Sequence, residues 1–465
     1  MMLSRRGFLG KAGGCGLALG LGLPAASRPT HFAPDLAPAL ARHVLNRCSF
    51  GPRPGDVARV AAMGVDAWLG SQLNPARIDD RACDKRTRRL ETLSCPTGEL
   101  FEYKPEVLWS ELASGKLLRA CYSERQLFEV MVDFWSDHFN IDHSKGDCAW
   151  LKTADDREVI RAHALGHFPD LLRASALGPA MLWYLDGRMN HRRTPNEQPN
   201  ENYARELLEL HTLGIDGGYT QADVMEAARC LTGWTVRSDT WFGKGRVEFD
   251  PARHDGGPKT VLGESIPAGL DAGDVDRLLA IACAHPSTGR FLARKLCARF
   301  IGPEAPEEAV SAVAARYADT GGDIKAMLRV IFATPAFRKP GSPQFKRPFH
   351  YVASVMRATL ADVQHTEPLL EYLGRMGHAP FQYPTPDGYP ESGEAWHGTL
   401  FWRWRLLESL DRGAVEGVSV DWDGIARNAG GRAAITRDWI GIAAENAGEV
   451  GRLALLLAGP DFQGY

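Results

Sequence analysis

Helical hydrophobic periodicity recurs along almost the whole chain and limits the fold more than any other feature of the sequence. Apolar residues return every three or four positions, which is the spacing of one buried helix face. Two capping boxes, Ser123 with Gln126 and Thr220 with Asp223, mark helix starts. The sequence therefore predicts a mainly α fold, a large multi-helix globular domain. The periodic segments are Leu36–Arg47, Asp56–Met63, Asp66–Leu73, Val275–Cys283, Arg290–Phe300, Glu307–Tyr317, Ile324–Phe332, Phe349–Leu360, Trp396–Leu410 and Val450–Leu457.

Strand signals are few and lie close together in the middle of the chain. Arg246–Asp250 alternates polar and apolar residues, and we expect Thr260–Leu262 to pair with it across the turn Arg253–Gly257. The prediction is one small β-hairpin insertion. We expect residues 36–465 to form a single large helical domain, which would divide, if at all, near 187–200 or 236–265.

The first residues of the chain resemble an export signal. Ser4-Arg5-Arg6-Gly7-Phe8-Leu9 has the twin-arginine pattern, and a glycine-rich apolar run follows it. We predict a signal peptide over residues 1–26, a linker over 27–35, passage through the twin-arginine translocase and a location in the periplasm or outside the cell. The alternative is a chance Arg-Arg pair before a tail. No later stretch reaches the roughly 18 apolar residues of a membrane span, so no transmembrane segment is expected after signal removal.

Charge and cysteine content restrict the partners and the redox state. A formal net charge of -3 lacks the basic surplus of a nucleic-acid-binding protein. One of the nine cysteines lies in the predicted signal peptide, and the remaining even number permits disulfides outside the cytoplasm. Folding before export favours buried, reduced thiols instead. If any pair forms, Cys83 and Cys95 are expected to form it, because both lie in a polar segment.

The stretch Asn200–Thr212 holds the densest set of functional groups in the chain. Its good helix formers predict one continuous helix. At three- and four-residue spacing, one face is expected to hold Asn202, Tyr203, Glu206 and Glu209, with Arg205 on another. Glu206 and Glu209 are then an acid–base pair, ligands of a shared cation, or members of a buried ion network that ties helices together.

Two histidines extend this candidate site. His138 ends a predicted helix, and Asp142 follows it closely, which is a workable ligand set for a divalent metal. His211 lies in the dense stretch, but Leu208 occupies the position that a Glu-x-x-His metal pair would need. The candidate metal ligands are therefore His138, Glu206, Glu209 and Asp142. A hydrogen-bonded core histidine is the alternative interpretation for both imidazoles.

Two further regions carry candidate binding groups. On the predicted hairpin, His254 and Asp255 are typical of a substrate-gripping loop or of a turn cap. Trp234 is either a face on which a sugar ring stacks or a core side chain. Pro380–Gly393 is a second irregular polar stretch, with two tyrosines and two acidic residues.

An ordered series of motifs in this chain is similar to a known bacterial family. They are His43–Arg47, Phe50–Pro52, Met131–Asn140, Asn200–Gly218, Tyr219–Val224, Leu231–Trp234, His254-Asp255 with Lys259, Phe291–Leu296 and Asp461–Gln463. The chain resembles the family known as domain of unknown function 1800 over nearly its whole mature length. The resemblance implies a twin-arginine-exported protein and carries no particular reaction with it.

The sequence favours an exported enzyme that performs hydrolysis or elimination on a polysaccharide. The expected catalytic residues are Glu206, Glu209, His138, His211 and Arg205, and the expected substrate-binding residues are Asn202, Tyr203, Trp234, His254 and Asp255. The alternatives are a non-catalytic binding or assembly protein with a structural polar network, and a periplasmic metalloprotein loaded before export. No G-x-S-x-G elbow, P-loop or dinucleotide fingerprint is present.

Overall fold

The computed structural model describes residues 36–194, 196–238, 243–339, 344–428 and 457–465. The predicted signal peptide (1–26) and linker (27–35) lie outside the described residues, as does nearly all of the helix predicted at Val450–Leu457. Within the described ranges the fold is mainly α, as the periodicity predicted. No helix in these ranges is long and apolar enough to cross a membrane.

The α-helices succeed one another through short turns and loops. They are α1 Leu36–Cys48, α2 Asp56–Met63, α3 Val65–Gln72, α4 Arg81–Thr87, α5 Thr97–Leu100, α6 Pro105–Tyr122, α7 Gln126–His138, α8 Cys148–Ala154, α9 Arg161–His163, α10 Phe168–Ala176, α11 Pro179–Tyr184, α12 Asn202–Glu206, α13 Gln221–Cys230, α14 Gly273–Ala284, α15 Pro286–Phe300, α16 Glu307–Thr320, α17 Ile324–Ala333, α18 Pro335–Arg338, α19 Pro348–Ala358, α20 Glu367–Arg375, α21 Leu400–Asp411, α22 Trp422–Asn428 and α23 Pro460–Gln463. Two π-helical segments, Asp155–Ile160 and Leu207–Thr212, extend α8 and α12.

Only one of the two predicted capping boxes forms. Thr220 and Asp223 cap α13 reciprocally, as predicted. The Ser123 box was wrong, because the Ser123 hydroxyl donates to Asp80 and α7 begins at Gln126 without a side-chain cap. The Gln126 amide instead donates to the Ser123 carbonyl, so both residues still fix the entry to α7.

The strand pairing differs from the predicted hairpin. Within the described residues there are three two-stranded antiparallel sheets: β1 Trp234–Val236 with β2 Val247–Phe249, β3 Lys259–Val261 with β4 Glu264–Ile266, and β5 Asp362–Val363 with β6 Val418–Ser419. The two segments predicted to pair are thus β2 and β3, and each pairs with another strand. The turn Leu262-Gly263 has left-handed backbone at both positions and folds β4 directly back onto β3.

The core centres on α19, in which every residue is buried, and on α7, which is buried along most of its length. Arg347 precedes α19 and is itself only 4% exposed. Its guanidinium lies 2.5 Å from Asp133 and 2.5 Å from Asp137, both on α7. The Lys116 ammonium on α6 lies 2.8 Å from Asp133. Three buried helices are therefore joined by charge as well as by apolar contact.

The described cysteines are all free thiols, which contradicts the predicted Cys83–Cys95 pair. Cys83 is buried within α4, whereas Cys95 is partly exposed and lies 3.8 Å from the Tyr103 hydroxyl. Burial raises the pKa of the Cys83 thiol to about 12. The arrangement matches the alternative of buried, reduced thiols.

Replacement of Arg347 by methionine is expected to lower the free energy of unfolding by about 3–5 kcal/mol. The reason is that the change leaves Asp137, a largely buried carboxylate, without its guanidinium partner and removes one of the two cations that contact the buried Asp133. The matched control is Arg173→Met, which breaks an exposed ion pair with Asp276 and is expected to cost less than about 1 kcal/mol. Urea denaturation measures both values. Equal losses in the two variants would contradict a central role for Arg347.

Candidate functional site

The dense polar stretch is an α-helix that changes into a π-helix. Helix α12 ends at Glu206, and the π-helical segment Leu207–Thr212 follows it without a break. The Leu213 N–H donates to the Leu208 carbonyl at 2.8 Å, five residues back, which is the π-helical bond. The predicted helix is therefore continuous through Thr212, but its second half is π-helical. π-Turns of this kind occur frequently at functional sites.

Gly214 ends this segment and lets α15 pack closely against it. Its φ of 84° is left-handed, and a Cβ there would lie 2.8 Å from the Phe291 ring on α15. Only glycine meets both conditions without strain. The π-helical segment and α15 are thereby brought into direct contact.

His138, at the end of α7, joins the two. Its Nε2 lies 3.1 Å from the His211 carbonyl oxygen, and its Nδ1 lies 3.1 Å from the Lys295 Nζ on α15. A carbonyl only accepts, so Nε2 carries the proton and Nδ1 accepts from lysine. Burial, and then the nearby Lys295 charge, lowers the pKa of His138 well below its usual value. His138 is thus a neutral imidazole with both nitrogens occupied, and it orients Lys295.

His211 contributes its backbone more than its ring. The ring centroid lies 6.2 Å from that of His138, and the imidazole packs on Phe139. Its Nε2 has no partner within the described part of the chain. Burial lowers the pKa of His211 to about 3, so this side chain stays neutral at physiological pH.

Lys295 lies among carboxylates that the folded chain brings from distant segments. It is partly exposed on α15. Burial lowers the pKa of Lys295, while Glu391, Asp137 and Asp387 act in the opposite direction. Lys295 was not among the predicted site residues, although it lies in the Phe291–Leu296 motif. A lone lysine on an amphipathic helix is ordinarily a surface residue, so the signal was too weak to find it.

Glu206 is a predicted catalytic carboxyl group whose pKa this arrangement raises. It is half-buried. Burial, and then the Glu209 and Asp387 carboxylates, raises the pKa of Glu206. Glu209 accepts a hydrogen bond of 2.9 Å from the Tyr219 hydroxyl. A half-buried carboxyl with a raised pKa beside other carboxylates has the properties of a general acid.

The irregular stretch at 380–393 supplies Asp387 and Glu391. The Asn140 side chain, just after α7, donates to the carbonyls of Tyr383 (2.9 Å) and Thr385 (2.8 Å). Gly388 has a φ of 76°, and a Cβ there would lie 2.3 Å from the Asp137 carbonyl oxygen. The loop is therefore held directly against the end of α7. We call the resulting group the Lys295 cluster. Its members are Asp137, His138, Glu206, Lys295, Asp387 and Glu391.

The other residues predicted on α12 face elsewhere. Arg205 donates to Glu201 at 2.9 Å and to Gln221 at 2.7 Å, so its guanidinium is engaged near the surface. Asn202 is exposed and donates to the Leu185 carbonyl. Tyr203 is buried, and its hydroxyl donates to the Ala176 carbonyl at 3.1 Å. The geometry gives Tyr203 a packing role.

His254 and Asp255 belong to a separate polar network. His254 is buried and lies 3.1 Å from Asp274, which also receives Lys259 at 2.5 Å. Asp255 receives Arg229 at 2.7 Å and Arg192 at 2.6 Å. No hydrogen bond or ion pair between described residues links this network to the Lys295 cluster.

Trp234 and Asp142 make local contacts. Trp234 is partly buried in β1, and its ring lies 5.2 Å from that of Phe249 in β2. Asp142 accepts from the backbone N–H of Ser144 at 2.9 Å and from its hydroxyl, as a turn cap does. Neither residue contacts the Lys295 cluster through a hydrogen bond or ion pair among the described residues.

The predicted metal ligands do not form a set. Among the described residues, no three His, Cys, Asp or Glu side chains lie together in a way that would hold a metal ion. His138, the only imidazole in the Lys295 cluster, already uses both nitrogens. The cluster is instead one lysine and several carboxylates, a composition suited to proton transfer.

Comparison with known proteins supplies a family and no relative with a described role. No curated protein and no solved structure matches the chain. The model of the family described as "Protein of unknown function (DUF1800)" matches residues 43–464, which is nearly the whole chain and includes every element of the Lys295 cluster. The chain is a member of the DUF1800 family.

Proposed function

We propose that the protein is an exported hydrolase that acts on a polysaccharide, with Glu206 as general acid and Asp387 as the second carboxylate. The single observation that carries this proposal is that the fold brings Asp387 of the 380–393 loop close to Glu206 on α12, although the two are far apart in sequence. Asp387 therefore adds to the raised pKa of Glu206, for which burial and then Glu209 are the larger causes. Asp387 also acts on Lys295. Most glycoside hydrolases use two neighbouring carboxyl groups, one of which has a raised pKa.

The residues then have distinct tasks. Glu206 gives its proton to the glycosidic oxygen as the bond to the anomeric carbon breaks. Asp387 takes a proton from the water that attacks this carbon, so that one water is added across the bond. The Lys295 ammonium, oriented by His138, supplies a positive charge near Asp387.

The charge of the site favours hydrolysis over elimination. Elimination on uronate polymers places a substrate carboxylate at the reacting centre. With Glu206 protonated as the general acid, the remaining carboxylates outnumber the nearby cations. The carboxylates are Asp137, Glu209, Asp387 and Glu391, and the cations are Lys295, Arg347 and Arg205. This excess of acidic groups repels a uronate and tolerates a neutral or positively charged sugar.

A second candidate is the non-catalytic binding or assembly protein. This candidate is favoured because several polar groups in the motifs shared with the DUF1800 family are buried. Asp133, Tyr203, His211 and Thr212 are all buried and mostly bonded within the fold. In this case the Lys295 cluster would act as a structural ion network, and substitutions in it would change stability without changing any turnover.

The export proposal is tested by replacing both arginines of the twin-arginine pattern. Arg5→Lys with Arg6→Lys is expected to keep the chain in the cytoplasm, because the translocase reads this pair. Cell fractionation of the full chain in its native host measures the distribution. The single variant Arg28→Lys, beyond the predicted signal peptide, is the control and should be exported normally. Normal export of the double variant would contradict the proposal.

Glu206→Gln is expected to lower the rate of polysaccharide hydrolysis by about 100-fold or more, since a general acid contributes about 10²–10⁴-fold. The control is Glu201→Gln, the same change at the residue that precedes α12, where the carboxylate forms a partly exposed ion pair with Arg205. Release of reducing ends from neutral glucans, chitosan and alginate measures turnover, and urea denaturation measures stability. The control should keep near-normal rates.

The outcomes of this experiment separate the candidates. Reducing ends without an unsaturated product support hydrolysis, whereas an unsaturated uronate from alginate would refute it. A Glu206→Gln protein that turns over as fast as the wild type would remove Glu206 from catalysis. No turnover of any polymer by the wild type, together with a destabilised Glu206→Gln, would favour the non-catalytic candidate.

The pH dependence of hydrolysis should report Glu206. A general acid must be protonated, so the rate is expected to fall as pH rises through the pKa of Glu206, which lies above its usual value of 4.5. Glu209→Gln removes one of the carboxylates that raise this pKa, so the fall should move to lower pH. Steady-state rates measured from about pH 4 to about pH 9, which spans typical catalytic pKa values, give the midpoint of this fall in each variant. An unchanged or higher midpoint in Glu209→Gln would contradict the assignment.

A further inference from the structure

A cavity of about 820 Å³ opens beside the Lys295 cluster. Its volume lies within the usual range of ligand-binding clefts. One wall is formed by the segment Ile301–Pro306, which directly follows α15, the helix that carries Lys295. Another wall is formed by residues 391–394, at the end of the loop that carries Asp387.

Glu391 belongs to both the cavity and the cluster. It lines the cavity, lies 3.3 Å from the Arg347 guanidinium and raises the pKa of Lys295 against the larger effect of burial. An extended ligand in the cavity would therefore end close to the Lys295 cluster. The cavity therefore has the position of a subsite that would bind the next sugars of a polymer beside the Lys295 cluster.

The lining of the cavity combines three carboxylates and one cation, Lys339, with rings, so acidic groups are in excess. Glu304 and Glu394 are exposed, and neither forms an ion pair with another described residue. Phe345 and His397 meet edge to face, with ring centroids 5.0 Å apart. A Cβ on Gly393 would lie 2.7 Å from the Phe345 Cβ, so glycine brings this loop directly onto the ring.

This lining matches one class of polysaccharide better than others. Sugar rings present flat C–H faces that pack on aromatic side chains, and the carboxylates pair with cations. Neutral glycans would leave the acidic groups without partners, and uronates would be repelled by them. A polymer of amino sugars offers both the rings and the ammonium groups.

We propose that this cavity binds a stretch of amino-sugar polymer, whose ammonium groups pair with Glu304 and Glu394 and whose rings contact Phe345 and His397. The inference rests on the proposed hydrolase for the glycan class, and it deepens that proposal by naming the sugar. It also concerns binding alone, so it can be tested without turnover.

The test is isothermal titration of the full chain carrying Glu206→Gln with the tetramer of glucosamine. In the same background, Glu304→Gln with Glu394→Gln is expected to weaken binding about 10-fold or more. The matched control is Glu367→Gln with Glu371→Gln, which removes two exposed carboxylates from α20 and changes the net charge equally. The control should leave the affinity unchanged, and thermal melting confirms that each variant is folded.

The alternative results each refute the inference. Equal binding of the N-acetylglucosamine tetramer would show that the ammonium groups are not recognised. An unchanged affinity in the Glu304 and Glu394 variant would place the ligand elsewhere, and absence of tetramer binding would exclude the ligand class. Failure of the hydrolase proposal can be distinguished from failure of the binding proposal. In the first case the tetramer still binds, but the wild type releases no reducing ends.

Discussion

The buried contact between Arg347 and the two aspartates of α7 is the constraint on which the rest of the site depends. Asp133 and Asp137 stand one helical turn apart, and the guanidinium reaches both at 2.5 Å. Although burial alone would raise the pKa of Asp133, Lys116 and Arg347 lower it overall. The carboxylate thus stays ionised, and the end of α7 is fixed relative to α6 and α19. His138 directly follows Asp137, so its position is fixed as well. This fixes the direction in which its Nδ1 faces Lys295.

From that fixed point, the Lys295 cluster is assembled by backbone geometry more than by attraction between its members. The π-helical segment presents the His211 carbonyl to His138, and Gly214 permits the contact with α15. Asn140 and Gly388 hold the 380–393 loop on the end of α7. Four segments that are far apart in sequence therefore meet: α15 supplies the lysine, and the other three supply the carboxylates. Bringing like charges together costs free energy. A fold that holds these carboxylates rigidly in place despite that cost has the preorganisation that proton transfer requires.

The sequence was sufficient for the fold class, and it selected two residues that the fold places in the Lys295 cluster, Glu206 and His138. Periodicity located helices such as α1 and α16 closely, because a buried helix face leaves a regular pattern. Periodicity did not predict the features that tertiary contacts determine. β2 and β3 have strand-like alternation, yet their partners depend on turns that alternation does not encode. Asn200–Thr212 has only good helix formers, and nothing in them announces the change to π-helical bonding at Leu207. Glu206 and His138 were selected from their motifs, whereas Lys295, Asp387 and Glu391 gain their meaning only from neighbours distant in sequence.

The most direct test of the central claim, that Glu206 and Asp387 share one site, is an NMR titration of the Glu206 carboxyl carbon in the wild type and in Asp387→Asn. Glu206 is assigned by comparison with Glu206→Gln. We expect a wild-type pKa above the usual 4.5 and a lower pKa in the variant, because one of the carboxylates that raise the pKa of Glu206 has been removed. A wild-type pKa at or below 4.5, or a value that does not move in Asp387→Asn, would contradict it.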